Sequence, residues 1–311
     1  MNNIIVTIRC LVYNHEPYLR DCLEGFVMQK TNFKFEAIVH DDCSTDGSAN
    51  IIKEYAEKYP AIIKPIIEQE NQYSKHDGSL KKIMDTHTRG KYTALCEGDD
   101  YWTDPYKLQK QVDFLESHSD YTMCFANAIE HWENDSTKFD KRFSNIENRE
   151  YSGLEIFQNW IVPTASVLYR TSINNSPFYL KVKQNPNFIY GDIILFLSCA
   201  HLGKIRGMVD CMSVYRRLST GAVLSMSTIE DGIDRSNHLL AIECEFGNIF
   251  HNSVAKLYVD ENLFLFYKSL LEKCGGMVFL KKSLKYSLLF TLKRFLPQFF
   301  NTLYIYRHYQ H

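Results

Sequence analysis

This chain of 311 residues predicts an α/β fold, with a mostly parallel central sheet flanked by helices and a helical C-terminal extension. Three observations carry that reading. Between Ile4 and Ser117, β-branched or apolar runs alternate with amphipathic segments, the rhythm of βαβ units. Short polar clusters follow three of the runs, at Tyr13-Asn14, Asp41-Asp42 and Glu97 to Asp100. Parallel sheets bind ligands beyond the carboxyl ends of their strands, so three clusters at such ends point to one site. From about Ser227 onward the pattern is helical.

The elements follow in order. Ile4 to Val12 alternates and is rich in β-branched residues, which predicts a first strand. Asn14 followed by Pro17 suits a helix start, and the helix runs to about Gln29. Phe35 to His40 is a second strand ending at Asp41-Asp42, and Ser44-Thr45-Asp46-Gly47-Ser48 caps a second helix that reaches Tyr59. Ile62 to Ile67 is a third strand, Leu80 to Thr88 a helical segment, and Tyr92 to Leu95 a short buried strand. Pro105 opens a helix to Ser117. The stretch from Glu133 to Glu150 is charged and lacks periodicity, as a loop would. A short helix near Gly153 to Trp160, a strand near Ser166 to Tyr169, an apolar helix from Gly191-Asp192 to Ala200 and a last strand from Val209 to Tyr215 complete the pattern. The chain divides on this reading into a catalytic domain, 1–225, and a helical extension, 226–311.

Composition narrows the function classes. Hydrophobic residues make up 45% and charged residues 23%, ordinary values for a soluble globular protein. A net charge of -2 gives no support for bulk nucleic-acid binding. The nine cysteines are odd in number and contain no Cys-x-x-Cys pair, so they read as reduced, mostly buried cytosolic thiols, and a structural zinc site is disfavoured. The apolar run from Ile4 to Tyr13 is broken by Arg9 and ends in Asn14-His15-Glu16, unlike a signal peptide. No apolar run reaches the ~18 residues of a spanning helix. The histidines, His238 among them, show no metal-ligand spacing and read as packing or surface residues.

The densest chemistry lies in Cys96-Glu97-Gly98-Asp99-Asp100-Tyr101-Trp102, where three acids fall within four positions after a buried strand. Carboxylates packed so closely repel one another, and a hard cation such as Mg²⁺ or Mn²⁺ relieves the repulsion. The alternative is a solvated turn in which Asp99 caps the helix that follows.

Five segments, in this order, resemble the family 2 nucleotide-diphosphate-sugar glycosyltransferases of GT-A (Rossmann-like) fold, of the bacterial surface-polysaccharide type. They are Leu11-Val12-Tyr13-Asn14, His40-Asp41-Asp42 through Ser48, Glu97-Gly98-Asp99-Asp100, Tyr190-Gly191-Asp192, and Val214-Tyr215-Arg216 with Gly221 and Ser225. The resemblance implies a metal-dependent, inverting transfer of a sugar from a nucleotide-diphosphate donor, UDP or dTDP favoured, to a glycan or lipid-linked acceptor. It implies nucleotide contacts from Leu11, Tyr13, Asp42, Glu97 and Arg216. Asp42 would accept from the base N3–H, Tyr13 would pack beside the base and Glu97 would reach the ribose. Asp99, helped by Asp100, would hold Mn²⁺ or Mg²⁺, and Asp192 would be the general base, or else only the cap of its helix. Departures are Glu97 where relatives often have Asp, Gly191 where a second acid is common, Leu218 where a His is common, and Cys43 where glycine is usual.

After Glu272 no acidic residue occurs, and lysines and arginines intersperse with Leu, Phe and Tyr. Residues 278–300 therefore read as a basic amphipathic helix. It lies either on an anionic membrane surface, which would place a cytoplasmic protein on the inner face of the plasma membrane, or against the catalytic domain or another copy. Two other functions compete. A sugar nucleotidyltransferase would carry a Gly-rich basic loop after the first strand, which Tyr13-Asn14-His15-Glu16 is not. A degenerate, non-catalytic GT-A domain binding a nucleotide, glycan or partner would have lost Asp99 or Asp192, and both are present.

Overall fold

A computed structural model of the chain describes residues 3–133, 135, 137–218, 229–247, 253–274 and 281–288. The chain forms two compact units. The first comprises Met1–Ser152, Trp160–Leu180 and Ser198–Gly221; the second comprises Gly153–Asn159, Lys181–Leu197 and Ala222–His311. Gly221 and Ser225 of the closing motif, and residues 278–280 and 289–300 of the tail, lie outside the described residues.

The first unit is a mixed sheet with strand order β3-β2-β1-β4-β9-β6-β10-β5. Its strands are β1 (Ile4–Val12), β2 (Lys34–Asp41), β3 (Ile63–Ile67), β4 (Tyr92–Leu95), β5 (Tyr101–Trp102), β6 (Tyr121–Trp132), β9 (Leu168–Arg170) and β10 (Lys204–Arg217). The two-residue strands β7 (Lys141–Arg142) and β8 (Glu150–Tyr151) pair with β6 and β10. Parallel ladders join β1 to β2 and β4, β2 to β3, and β6 to β10. β9 runs antiparallel to both β4 and β6, so β6 and β10 point the same way as β1 to β4. The C-terminal ends of six strands thus share one edge.

Helices α1 (Leu19–Val27), α2 (Ser48–Lys58), α3 (Ser79–His87) and α4 (Lys107–Ser117) connect the strands where the periodicity predicts, with ends shifted by one or two residues. In α1, Leu19, Cys22, Leu23 and Phe26 are fully buried at helical spacing against Val6, Ile8, Cys10 and Val12 of β1. Trp102 completes this core; its indole N–H donates to the Ala165 carbonyl at 2.7 Å and its ring meets Phe26 edge-on at 4.9 Å. The twelve-residue strand β6 was not predicted, and the Glu133–Glu150 stretch carries β7 rather than loop alone.

The second unit is helical. It contains α5 (Gly153–Asn159), the start of α7 (Gly191–Leu202), α8 (Ile229–Phe246), α9 (Ser253–Cys274) and a helical turn pair at 281–288. A short helix α6 (Pro177–Val182) precedes α7 in the chain. Among the cysteines whose side chains are described, Cys10, Cys22, Cys96, Cys124 and Cys199 are free and buried, and Cys211 and Cys244 are free and exposed. No helix of the described residues is long and apolar enough to cross a membrane.

Candidate active site

The parallel register aligns Val12 with Asp41 and Arg9 with Leu95, so the polar residues that follow each strand emerge side by side. Two hydrogen bonds stitch them: Asp42 N–H to the Val12 carbonyl and Gly98 N–H to the Leu11 carbonyl, both at 2.9 Å. Gly98 permits this approach. A Cβ there would stand 2.8 Å from His15 Nδ1 and 2.9 Å from Val12 Cγ2.

The first two motifs clasp each other. Asn14 N–H donates to Ser44 Oγ (2.9 Å), His15 N–H to Ser48 Oγ (3.0 Å) and Glu16 N–H to Asp46 Oδ2 (3.0 Å). In return Thr45 N–H donates to Asn14 Oδ1 (2.8 Å) and Gly47 N–H to Glu16 Oε2 (2.7 Å). The clasp requires left-handed backbone at Asn14 (φ 56°) and Cys43 (φ 64°). Asparagine tolerates that region, while cysteine takes a place that favours glycine. Gly47 stands at the N-cap of α2, and Asp46 Oδ1 accepts from the Ser48 N–H that opens the helix at 2.9 Å, so Asp42 does not serve there.

Asp42 has another role. It is 4% exposed, and its two oxygens accept the N–H groups of Gln72 (2.6 Å) and Tyr73 (3.0 Å). Asn71 Nδ2 donates to the Asp42 carbonyl at 3.0 Å. A carboxylate has about four acceptor sites, so two remain after this loop is held. Tyr73, whose N–H this carboxylate accepts, is 65% exposed, and Tyr13, directly after β1, is 49% exposed.

Glu97 and Asp99 are partly exposed, whereas Asp100 is buried. Burial first, then the charge of Asp99, pushes the Asp100 carboxyl well above the usual carboxylate range, although Arg216 N–H donates to its Oδ1 at 2.9 Å. These residues suit a hard divalent cation: the donors are carboxylate oxygens, and added positive charge would relieve the mutual repulsion. Among the described residues no group of three or more His, Cys, Asp or Glu side chains could hold a metal by itself. Mg²⁺-type sites commonly use one or two carboxylates and complete the shell with substrate phosphate and water.

Arg216 is fixed by acids. Its guanidinium pairs with Asp21, lies 3.2 Å from Glu133 Oε2, donates to the Asp99 carbonyl at 3.0 Å, and packs over Tyr101 (4.6 Å) and Tyr18 (5.2 Å). Arg217 Nε donates to Glu130 Oε1 at 2.6 Å. Sequence reading missed these acidic partners, because Asp21 and Arg216 are 195 residues apart in sequence and no local pattern links them.

Leu11, Tyr13, Asp42, Glu97, Asp99, Asp100 and Arg216 thus gather in the first unit. Asp192 stands in the second, in the first turn of α7, where its Oδ1 accepts from Ile193 N–H at 2.8 Å. Beside it in the chain, Ile189 N–H donates to His238 Nδ1 at 3.3 Å. His238, one of the histidines that spacing reads as packing or surface residues, is a buried residue of α8.

Known proteins resemble this chain in sequence and in fold. The family model described as Glycosyl transferase family 2 matches residues 8–176. The uncharacterized protein Rv1520 of Mycobacterium tuberculosis is 39% identical over 217 residues, covering 70% of this chain and 60% of that protein. The chain therefore spans about 60% of the length of the first curated relatives it matches. The Escherichia coli enzyme WfaP, named UDP-Glc:alpha-D-GlcNAc-diphosphoundecaprenol beta-1,3-glucosyltransferase, is 25% identical over 238 residues, 76% of this chain and 86% of that one. Residues 1–349 of S. aureus TarS, solved in complex with UDP, superpose with a TM-score of 0.60 at 16% identity, covering 88% of this chain and 76% of that chain, a likeness of fold.

Proposed function

The chain belongs to glycosyl transferase family 2, and on that premise we propose that it moves a sugar from a UDP- or dTDP-linked donor to a glycan or lipid-linked acceptor of a surface polysaccharide. The convergence of Tyr13, Asp42 and Glu97 to Asp100 on one sheet edge carries this reading. The catalytic domain is 1–225. The named donor and lipid-diphosphate acceptor of WfaP favour the UDP and lipid-linked alternatives.

Asp42 would present its remaining lone pairs to the base N3–H, with Tyr13 beside the ring and Leu11 among the nucleotide contacts. Glu97 takes ribose hydroxyls. Asp99, supported by Asp100, would hold Mn²⁺ or Mg²⁺, which when bound supplies Lewis-acid neutralisation of the departing diphosphate. Arg216 reaches the diphosphate only by exchanging an acidic partner, and Arg217 is tied to Glu130, so these two arginines supply little of that neutralisation. This favours metal dependence over neutralisation by arginine alone. Asp192 removes the acceptor hydroxyl proton as its oxygen attacks the anomeric carbon, and the configuration inverts.

Calorimetry with UDP, dTDP and GDP, with and without Mn²⁺, on wild type and Asp99→Ala tests the donor site. Metal-dependent UDP or dTDP binding that is lost in Asp99→Ala is the expected result. Absence of binding to any nucleotide would instead favour a degenerate, non-catalytic domain. Asp192→Asn is expected to abolish transfer while leaving nucleotide affinity nearly unchanged.

A further inference from the structure

The segment that leads into Asp192 is held by one face of α8. Lys181 Nζ lies 3.2 Å from Glu245 Oε2. The Phe188 ring sits 5.7 Å from His238 and 6.4 Å from Phe246, and the Tyr190 ring meets His238 edge-on at 5.0 Å. Between those two rings, Ile189 N–H donates to His238 Nδ1 at 3.3 Å. Residues 238, 245 and 246 are two helical turns apart and share a face. All of these residues belong to the second unit.

His238 is 2% exposed. Because its Nδ1 accepts from Ile189 N–H, the ring is the neutral tautomer with hydrogen on Nε2, and the backbone of Asn187 also lies against it. Burial pushes His238 down to about 4, so the acceptor lone pair persists across the physiological range. Immediately after this anchored stretch comes Gly191, around which a Cβ would meet nothing within 4 Å. Gly191 opens α7, and in that first turn Asp192 Oδ1 accepts from Ile193 N–H. The anchor at Ile189 thus holds the backbone two residues before α7 begins, in the segment that sets where its first turn, with Asp192, is delivered.

We infer that His238 is a positioning residue, whose Nδ1 holds the Phe188–Tyr190 backbone and thereby the direction of the Asp192 carboxylate. The inference rests on Asp192 being the general base. A misplacement of about 1 Å at such a group costs about 100-fold in rate. α8 then belongs to the catalytic apparatus, although it follows the segment that carries the motifs.

The test uses the full chain with His238→Leu and His238→Asn. Asparagine places an oxygen close to where Nδ1 stands, whereas leucine fills similar volume without an acceptor. Hydrogen–deuterium exchange followed by mass spectrometry reads the anchor without any substrate. Peptides covering residues 187–193 are expected to exchange at least about tenfold faster in His238→Leu and at near wild-type rates in His238→Asn, with first-unit peptides unchanged. Equal exchange in wild type and His238→Leu overturns the inference, as does equal loss of protection in both variants, which would make ring packing the cause. UDP release from a panel of UDP-sugars, with water as acceptor, adds the functional reading. A fall in kcat of about 10- to 100-fold in His238→Leu, with UDP affinity kept and activity rescued by His238→Asn, supports positioning; an unchanged kcat overturns it. Full turnover by Asp192→Asn would remove the base assignment itself, and the exchange result at Ile189 would still stand or fall separately.

Discussion

Cys43 sits at φ 64°, inside the clasp between the strand ends of β1 and β2. A side chain in that conformation costs about 1–2 kcal/mol, which glycine avoids. Glycine also gives the unfolded chain more freedom, offsetting about 0.4–1 kcal/mol of the gain. Cys43→Gly is therefore expected to stabilise the protein by about 0.5–1 kcal/mol, read as a higher urea midpoint at unchanged slope. A lower midpoint would mean that the partly buried thiol makes packing contacts worth more than the backbone strain. Asn14 shares the left-handed conformation but holds Thr45 through Oδ1, so glycine there would relieve strain and lose a hydrogen bond together. The departure from glycine was legible in the sequence as an oddity; its cost becomes legible only with the backbone angle.

At the scale of elements, α4 carries a buried cation at its N-terminus. Lys107 is fully buried, its Nζ donates to Gln111 Oε1 at 2.8 Å, and it lies 4.1 Å from the centre of the Trp102 ring. Burial pushes its pKa down to about 8 from 10.5. Between those values the unfolded chain binds the proton and the folded chain does not, so this group makes stability rise with pH across the window. Below pH 8 both states are protonated and the full penalty applies. Lys107→Met removes the titration. The stability of wild type relative to Lys107→Met is thus expected to improve by up to about 3 kcal/mol between pH 8 and 10.5, at 1.36 kcal/mol per unit. A constant difference across that range, measured by chemical denaturation, would mean the ammonium is solvated. Elements with one apolar face, such as α1 and β1, were readable from periodicity. β6 was not: its residues from Thr122 to Ala128 are buried on both faces, so no alternation marks it, and Ala, Asn and Glu are poor strand formers. Likewise the site's acids and Tyr13 stood out as motifs, whereas His238, Asp21 and Gln72 act through contacts with residues remote in sequence.

Charge is unevenly distributed over the molecule, since the chain as a whole carries -2 while every Asp and Glu precedes residue 273. The described part of the basic tail shows how that asymmetry is displayed within the second unit. On the helix 281–288, Tyr286 stacks on Tyr267 of α9 at 5.6 Å, Lys282 reaches the Tyr267 hydroxyl at 3.4 Å, and Ser283 is buried. That face is taken. The other face presents Lys281, Leu284, Lys285 and Leu288 at helical spacing, with both leucines 60% exposed. A stripe of this kind fits an anionic lipid surface, where each leucine would bury apolar area and each lysine would meet headgroup charge. It also fits a second copy of the chain. On the membrane reading, the full chain pellets with vesicles containing anionic phospholipid and not with phosphatidylcholine alone. Burying one leucine contributes about 1.5–3 kcal/mol, so Leu284→Glu with Leu288→Glu is expected to weaken vesicle binding by at least tenfold. Pelleting that is equal in wild type and the double variant would remove the membrane role of this stripe. A concentration-dependent dimer that the same double variant dissociates would assign the stripe to a second copy instead.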